Sequence, residues 1–478
     1  MTDAFIQMTH EAYYKRFPRD FGNVIQVAFD DETRFCHAFP WTEQLPEVFL
    51  EKKGYDLLER LPDLVIPGEE AGRTRCDYFD IVADLYRENY HGRIHQWCLT
   101  HGIDYCPHLL GEETLAGQVR FSGDYMRQLA AVGRPGIDHL GKGIGSLNIK
   151  FASSAAECYG KSGLACEVFA ACGQPADPAL LRHAFGCCIG SRDADLSSCG
   201  NLLAPLSGGS EGHGYYHGPL IADERAAELD KNQQLLLTAL QMKNIDYTVF
   251  PSDAVKNFVC ENGKLKNILT GQEYSLFILP MCQVIPLAAA RLLELFVNSG
   301  GRLLIMDALP EYAMSREEDG QVREIFREML KKPGVTFMEN ICDAGAAAAW
   351  LEENLNRELE IISGIRENKS TCRYYPSWVI DPYIHDGEDM DGIYYCCYGN
   401  KVQKLYFMVN YTRDIQTLTV KLHGPSAPEI WDPMTGEIKG ARILEKKGST
   451  CLLEIQLPAG YGIFLVTAKE HPEDISGS

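Results

Sequence analysis

Over the first 220 residues, short apolar runs alternate with longer amphipathic stretches, which is the pattern of parallel strands joined by helices. Candidate strands fall at residues 24–29, 103–106, 137–140, 163–169 and 201–206. Between the first two, residues 77–101 repeat Phe79, Val82, Tyr86, Tyr90, Ile94 and Trp97 at steps of three and four, so this stretch predicts a helix with one buried face. The glycine-rich run SGGSEGHGYYHGP at 207–219 interrupts the alternation and reads as a rim loop or a boundary. A second, smaller α/β series follows, doubly wound in type: a helical run over 222–244, then YTVF, YSLFILP, a helix over 287–299, and GGRLLIMDALP, with Gly300 and Gly301 closing the helix. From about residue 358 the helical period disappears. The runs GIYYCCYG, KLYFMVNYT, LTVKLHG, TCLLEIQLP and YGIFLVTA, with Gly, Pro, Asn and Asp between them, predict an antiparallel β-sandwich of a typical size, roughly 110 residues. Three units result, at 1–220, 221–355 and 356–478.

Composition narrows the partners. A chain of 478 residues exceeds one hydrophobic core, and 45% hydrophobic with 23% charged residues is the balance of a folded enzyme. The formal charge of −21 argues against nucleic acid or an anionic membrane, because either needs a basic face. A neutral small ligand fits better, and a homo-oligomer stays open. The N-terminal MTDAFIQMTHEAYYKRF has no basic stretch leading into an apolar core, and no uncharged apolar run reaches spanning length, so a cytoplasmic protein is expected. The 17 cysteines occur singly or as adjacent pairs, Cys187-Cys188 and Cys396-Cys397, without zinc-type CxxC spacing. They read as free thiols of a reducing cytosol, and no resident metal or cofactor is expected.

Chemistry concentrates at strand ends. The strand at 24–29 runs into Asp30, Asp31 and Glu32, then into an irregular segment with His37, Pro40 and Trp41. In parallel α/β barrels the C-terminal strand ends carry the catalytic groups. Three consecutive acids also suit the start of a solvated turn, and this segment alone leaves both readings standing. Residues 163–167 place Glu167 at the end of another apolar strand with no charged neighbour. Burial there without a partner would be costly, so Glu167 either faces a polar cavity or is a structural carboxylate bonded to backbone amides. Two carboxylates at one barrel mouth are what glycosidic cleavage needs. Asp31, His108, Glu112, Asp138 and His139 are candidate sugar contacts, with Glu113 beside them, and Trp41 offers an aromatic face. Each also has a bland structural reading. Ser153 and Ser154 lack a GxSxG elbow and are expected to cap a helix. The loop at 207–214, with His213, matches neither a P-loop nor GxGxxG after a strand.

Counting the strand at 24–29 as the fourth of a barrel makes the strand at 163–169 the seventh and that at 201–206 the eighth. Carboxylates on strands four and seven resemble the clan of retaining (β/α)8 glycosidases that includes the β-galactosidases. The segments AFIQMTHEAYYKRF, FDDE, WTEQLPEVFLEKKGYDLLERLPDL, DYFDIVADLYRENYHGRIHQWCLTHGI, PHLLGEE, PGIDHL, SSAAECYGKSGLACEVFAACG, YSLFILP and IWDPMTGE resemble a group of bacterial glycosidase-like proteins. The resemblance implies a partial TIM barrel of strands 4–8, a flavodoxin-like or glutamine-amidotransferase-like α/β domain, and a C-terminal β-sandwich. It also implies Glu32 as general acid/base and Glu167 as nucleophile. The calcium-dependent α-L-rhamnosidases resemble this layout yet invert. For them the second carboxylate is a general base, and oxygen ligands such as Glu112 would hold calcium. A whole barrel takes about 250 residues and eight strands, so barrel strands one to three have no counterpart in the count. A carbohydrate-binding or inactive homologue is therefore the reading from a different class.

Overall fold

The computed structural model describes residues 1–112, 114–138, 147–167, 200–203, 224–339, 344–355, 357–364, 392–399, 403–412, 414–424 and 428–468. In the first unit four strands follow one another: β1 (Val27–Thr33), β2 (Asp104–Leu109), β3 (Gly136–Asp138) and β4 (Ala165–Glu167). β1 pairs with β2 in parallel from Val27 opposite Asp104, with a register shift between Asp30 and Thr33. β3 pairs with β4 in parallel, placing Asp138 opposite Glu167. β3 lies hard against β2, because a Cβ on Gly136 would stand 2.4 Å from the Pro107 carbonyl oxygen. Only glycine permits that approach.

The expected helix over 77–101 is present as Ala71–Tyr86 and Gly92–Thr100, joined through a π-turn at Arg87–His91 that buries His91 completely. Ser153 and Ser154 do not cap anything. They sit inside the helix Asn148–Cys158, where the Ser154 hydroxyl accepts the backbone N–H of Val249 at 2.8 Å. The helix is buried on nearly all sides, so the Ser154 hydroxyl serves a neighbouring strand rather than an end, while the Ser153 hydroxyl donates to the Lys150 carbonyl within the helix at 3.2 Å.

That neighbour belongs to the second unit. β5 (Gly200–Leu203), β6 (Tyr247–Phe250), β10 (Leu276–Pro280), β11 (Arg302–Met306) and β12 (Val335–Met338) form one parallel sheet in the order β12-β11-β10-β5-β6. Counted along the chain, the spatial order is 2-1-3-4-5, the flavodoxin-like doubly wound arrangement. A small antiparallel ladder, β7 (Phe258–Glu261), β8 (Lys264–Asn267) and β9 (Glu273–Tyr274), flanks it. The strand expected at 201–206 as the eighth of the barrel is corrected here. Gly200–Leu203 pairs with β6 on one side and β10 on the other. β6 and β10 are buried along their whole length, so both need hydrogen-bonded neighbours.

One apolar core runs through both units, joining Tyr105, Ile137 and Phe151 to Leu237, Tyr247, Leu276 and Leu351. Arg73 reinforces the junction by donating to both oxygens of Asp319 at 3.0 Å. The last unit has two antiparallel sheets. The first contains β13 (Leu359–Ser363), β16 (Gln416–His423), β19 (Arg442–Lys447) and β20 (Thr450–Leu457). The second contains β14 (Ile393–Gly399), β15 (Gln403–Asn410), β17 (Glu429–Trp431), β18 (Ile438–Gly440) and β21 (Tyr461–Ala468). Leu418, Val420 and Leu453 of one sheet meet Met408, Ile463 and Leu465 of the other in a single core, as the alternating runs predict. Among the described residues no helix is long and apolar enough to cross a membrane.

Glu157 ties the long buried helix to the β8 ladder. Its carboxylate accepts from Asn267 Nδ2 at 3.3 Å and from the Thr270 hydroxyl, and burial pushes its pKa up to about 7 from the ordinary 4.5. The folded state thus keeps a proton that the unfolded chain releases, so the stabilisation is present below pH 4.5 and is lost as pH rises through 7. Glu157→Gln should flatten thermal stability against pH between those limits and make the variant more stable than the parent at pH 8 by about 1–3 kcal/mol. Parallel melting profiles for the two proteins would contradict this.

Candidate active site

The acids at the end of β1 lie within the strand, not after it as the sequence suggested, and the strand's period of two sorts them. Asp30 turns toward the helices, where its Oδ2 accepts from Tyr90 at 2.9 Å and Tyr105 at 3.0 Å. Tyr105 is in turn 3.1 Å from His91 Nδ1. Burial pushes the His91 imidazole down to about 3, so it is neutral and donates to the tyrosine oxygen. Burial and the Asp30 charge hold both tyrosines above the usual phenol range, protonated. Asp30 is thus fixed as an acceptor.

Asp31 points the other way, to His108. The His108 side chain is 1% exposed, and its Nε2 lies 3.0 Å from Asp31 Oδ1 and 3.0 Å from Glu167 Oε2. Its Nδ1 is buried with no partner among the described residues. A proton there would be stranded at a cost of about 1–3 kcal/mol, whereas a proton on Nε2 meets two acceptors. Nε2 is therefore the protonated nitrogen. Phe29 packs beside the ring, 5.4 Å between centroids, although it is one of the more exposed aromatics among the described residues.

Glu167 closes β4 with its side chain 38% exposed. Phe29, His108, Gly136, Ile137, Ala165, Cys166 and Glu167 line an open cleft of about 320 Å³. Glu32, next to Asp31, adopts φ +46, a left-handed conformation that costs a long side chain about 1–3 kcal/mol. Its half-exposed carboxylate lies 3.5 Å from Arg34 Nη1. Asp31, His108 and Glu167 offer three ligand atoms within 4.8 Å of one another, a grouping that could hold a metal ion. The chemistry fits one poorly. A ligating histidine normally donates its other ring N–H to an orienting acceptor, and His108 Nδ1 has none.

Glu112 departs from its expected place among the sugar contacts. It is 1% exposed, its Oε1 accepts from the Asp138 backbone at 2.8 Å and Asn148 Nδ2 at 3.1 Å, and its Oε2 accepts from Tyr125 at 3.0 Å. It braces the end of β3 from behind, so it is not a free oxygen ligand for calcium. Asp138 ends β3 opposite Glu167. Trp41 is 46% exposed and is not among the residues lining the Glu167 cleft. His139, Glu113, His213 and the 207–219 loop lie outside the described residues. Sequence reasoning missed Phe29 and the convergence of Asp31 with Glu167. The period of two on β1 was the available signal, since it separates residues 29 and 31 from 30.

No protein-family model matches the chain, and no curated protein matches it. Solved structures do. A rhamnosidase from Novosphingobium sp. PP1Y is similar over 98% of this chain and 47% of its own, with a TM-score of 0.65 and 15% identity. A GH42 β-galactosidase from G. stearothermophilus is similar over 97% of this chain and 81% of its own, with a TM-score of 0.54 and 10% identity. A β-galactosidase from Bacillus circulans sp. alkalophilus is similar over 96% and 82%, with a TM-score of 0.53 and 11% identity. The chain has the fold that runs through these proteins, and it spans about half the length of the rhamnosidase.

The Glu112 brace makes a measurable claim. Glu112→Ala should lower the unfolding free energy by about 2–5 kcal/mol, because the Asp138 backbone, Asn148 Nδ2 and the Tyr125 hydroxyl each lose a carboxylate acceptor. Trp41→Ala should change it by less than about 0.5 kcal/mol. Denaturant titration of both variants decides, and a Glu112→Ala midpoint equal to the parent's would return Glu112 to the exposed contacts.

Proposed function

We propose that this chain is part of a glycoside hydrolase that cleaves oligo- or polysaccharides, with Glu32 as general acid/base and Glu167 as nucleophile. The observation that carries the reading is the meeting of the β1 and β4 ends: Glu167 and the residue preceding Glu32 both reach the one buried His108 nitrogen. The likeness in fold to a rhamnosidase and to β-galactosidases supports it. In this reading β1 to β4 are barrel strands four to seven, which sets the two glutamates on strands four and seven. Glu167 attacks the anomeric carbon as Glu32 protonates the leaving oxygen, and Glu32 then takes a proton from the water that releases the sugar. The strained backbone at Glu32 suits such a task, since left-handed non-glycine residues persist where function holds them. A carboxyl separation of about 5–5.5 Å goes with retention.

The charge of −21 leaves a neutral carbohydrate as the natural partner, and the free thiols among the described residues fit a reducing, cytoplasmic setting. A second reading is favoured by the likeness to the Novosphingobium rhamnosidase: inversion, with Glu167 activating water. The anomer released first, read by NMR, separates the two.

On a panel of nitrophenyl glycosides, Glu32→Gln should slow turnover about 10²–10⁴-fold and Glu167→Gln should remove it. Variants as active as the parent would discard the assignment. Three equally inert proteins that still bind sugar would make the chain a carbohydrate-binding protein.

A further inference from the structure

We infer that His108 is a positioning residue for Glu167, and that Asp31 serves it as the second acceptor of the same N–H rather than as a sugar contact. The inference rests on the hydrolase reading above. One imidazole N–H cannot bond two carboxylates fully at once, yet His108 Nε2 stands 3.0 Å from an oxygen of each. The ring cannot swing away to choose, because it is 1% exposed and packed beside Phe29. It is therefore a fixed donor between two movable acceptors, Glu167 at 38% and Asp31 at 70% side-chain exposure.

This arrangement suits a carboxylate whose charge changes during the reaction. While Glu167 is ionised it shares the N–H and is held by it in one rotamer, facing the cleft. On attack, a bond forms between a Glu167 oxygen and the anomeric carbon as the bond to the leaving oxygen breaks, with that oxygen taking its proton from Glu32. The glutamyl ester is a weaker acceptor than the carboxylate, so the N–H passes to Asp31, which stays ionised. Hydrolysis of the ester restores the first arrangement. His108 keeps its proton throughout and exchanges nothing with substrate. Its effect lies in orientation, and Asp31 supplies the alternative partner that keeps the buried donor satisfied.

The experiment has two arms. In the intact wild-type chain, long-range ¹H–¹⁵N correlation of the His108 ring should show hydrogen on Nε2 and none on Nδ1, and the Nε2 resonance should move in both Asp31→Asn and Glu167→Gln. In kinetics, His108→Ala should lower kcat about 100-fold with little change in KM, since misplacing a reacting group by an ångström carries that order of loss. His108→Gln, whose amide N–H reaches a similar point, should recover about tenfold of it. An Nδ1–H tautomer overturns the proposal. So does tight binding of Zn²⁺ or Ca²⁺ by the wild type that Asp31→Asn abolishes, which would make the cluster a metal site, or a His108→Ala variant with unchanged kcat. A wild-type chain inert on every glycoside overturns the hydrolase reading and the nucleophile-positioning role with it. The NMR arm needs no activity and tells that failure from a failure of the clamp.

Discussion

A strand shows its successive side chains to two faces only, and at the end of β1 that constraint separates acids that are adjacent in sequence. Asp30 goes to the helix side, where Tyr90 and Tyr105 hold it. Asp31 goes to the other side, where it meets His108. The register shift between Asp30 and Thr33 then frees Glu32 from the alternation and gives it a backbone conformation of its own. A bulge at a strand end re-aims a side chain in this way without moving the rest of the strand. Three consecutive carboxylates are thereby given three environments: two tyrosine hydroxyls for Asp30, His108 for Asp31 and the Arg34 guanidinium for Glu32.

The cleft depends on rigid surroundings. Behind β3, Glu112 collects donors from the Asp138 backbone, Asn148 and Tyr125, so the strand end opposite Glu167 is held from inside. Beneath it, the helix Asn148–Cys158 lies in one core with the second unit's sheet, and Ser154 and Lys150 bond that unit directly through Val249 and Asp246. A site assembled from the ends of separate strands needs such support, because the groups that meet there are held together only as firmly as the strands themselves. The second unit therefore acts as a buttress of the cleft even where it carries no chemistry itself.

Much of this was legible in the sequence. Periodicity located the four strands of the first unit, the long helix and the sandwich, because a face buried in apolar surroundings must repeat at the element's own period. It placed Glu167 at a strand end and singled out His108. It could not place the strand at 201–206, since a short apolar run looks the same whichever sheet it joins, and β6 and β10 took it for the second unit. It also failed on Glu112 and on Ser154, for a common reason. A polar residue in a run of mixed character is expected at the surface, whereas these two are buried because donors from distant segments converge on them. Convergence of that kind is a property of the packed chain, and no local window contains it.

The same distinction explains why His108 carries more weight than its neighbours. A histidine near a strand end is usually a structural residue satisfied by backbone. Here the buried ring has one nitrogen without a partner and the other shared between two carboxylates from different strands. His91 is likewise buried with its Nε2 unpartnered, so what sets His108 apart is the pair of carboxylates that meet on its other nitrogen. The ring's orientation is therefore set by the carboxylates on its cleft side. The shared nitrogen ties the ends of β1, β2 and β4 together, and residues of all three line the cleft.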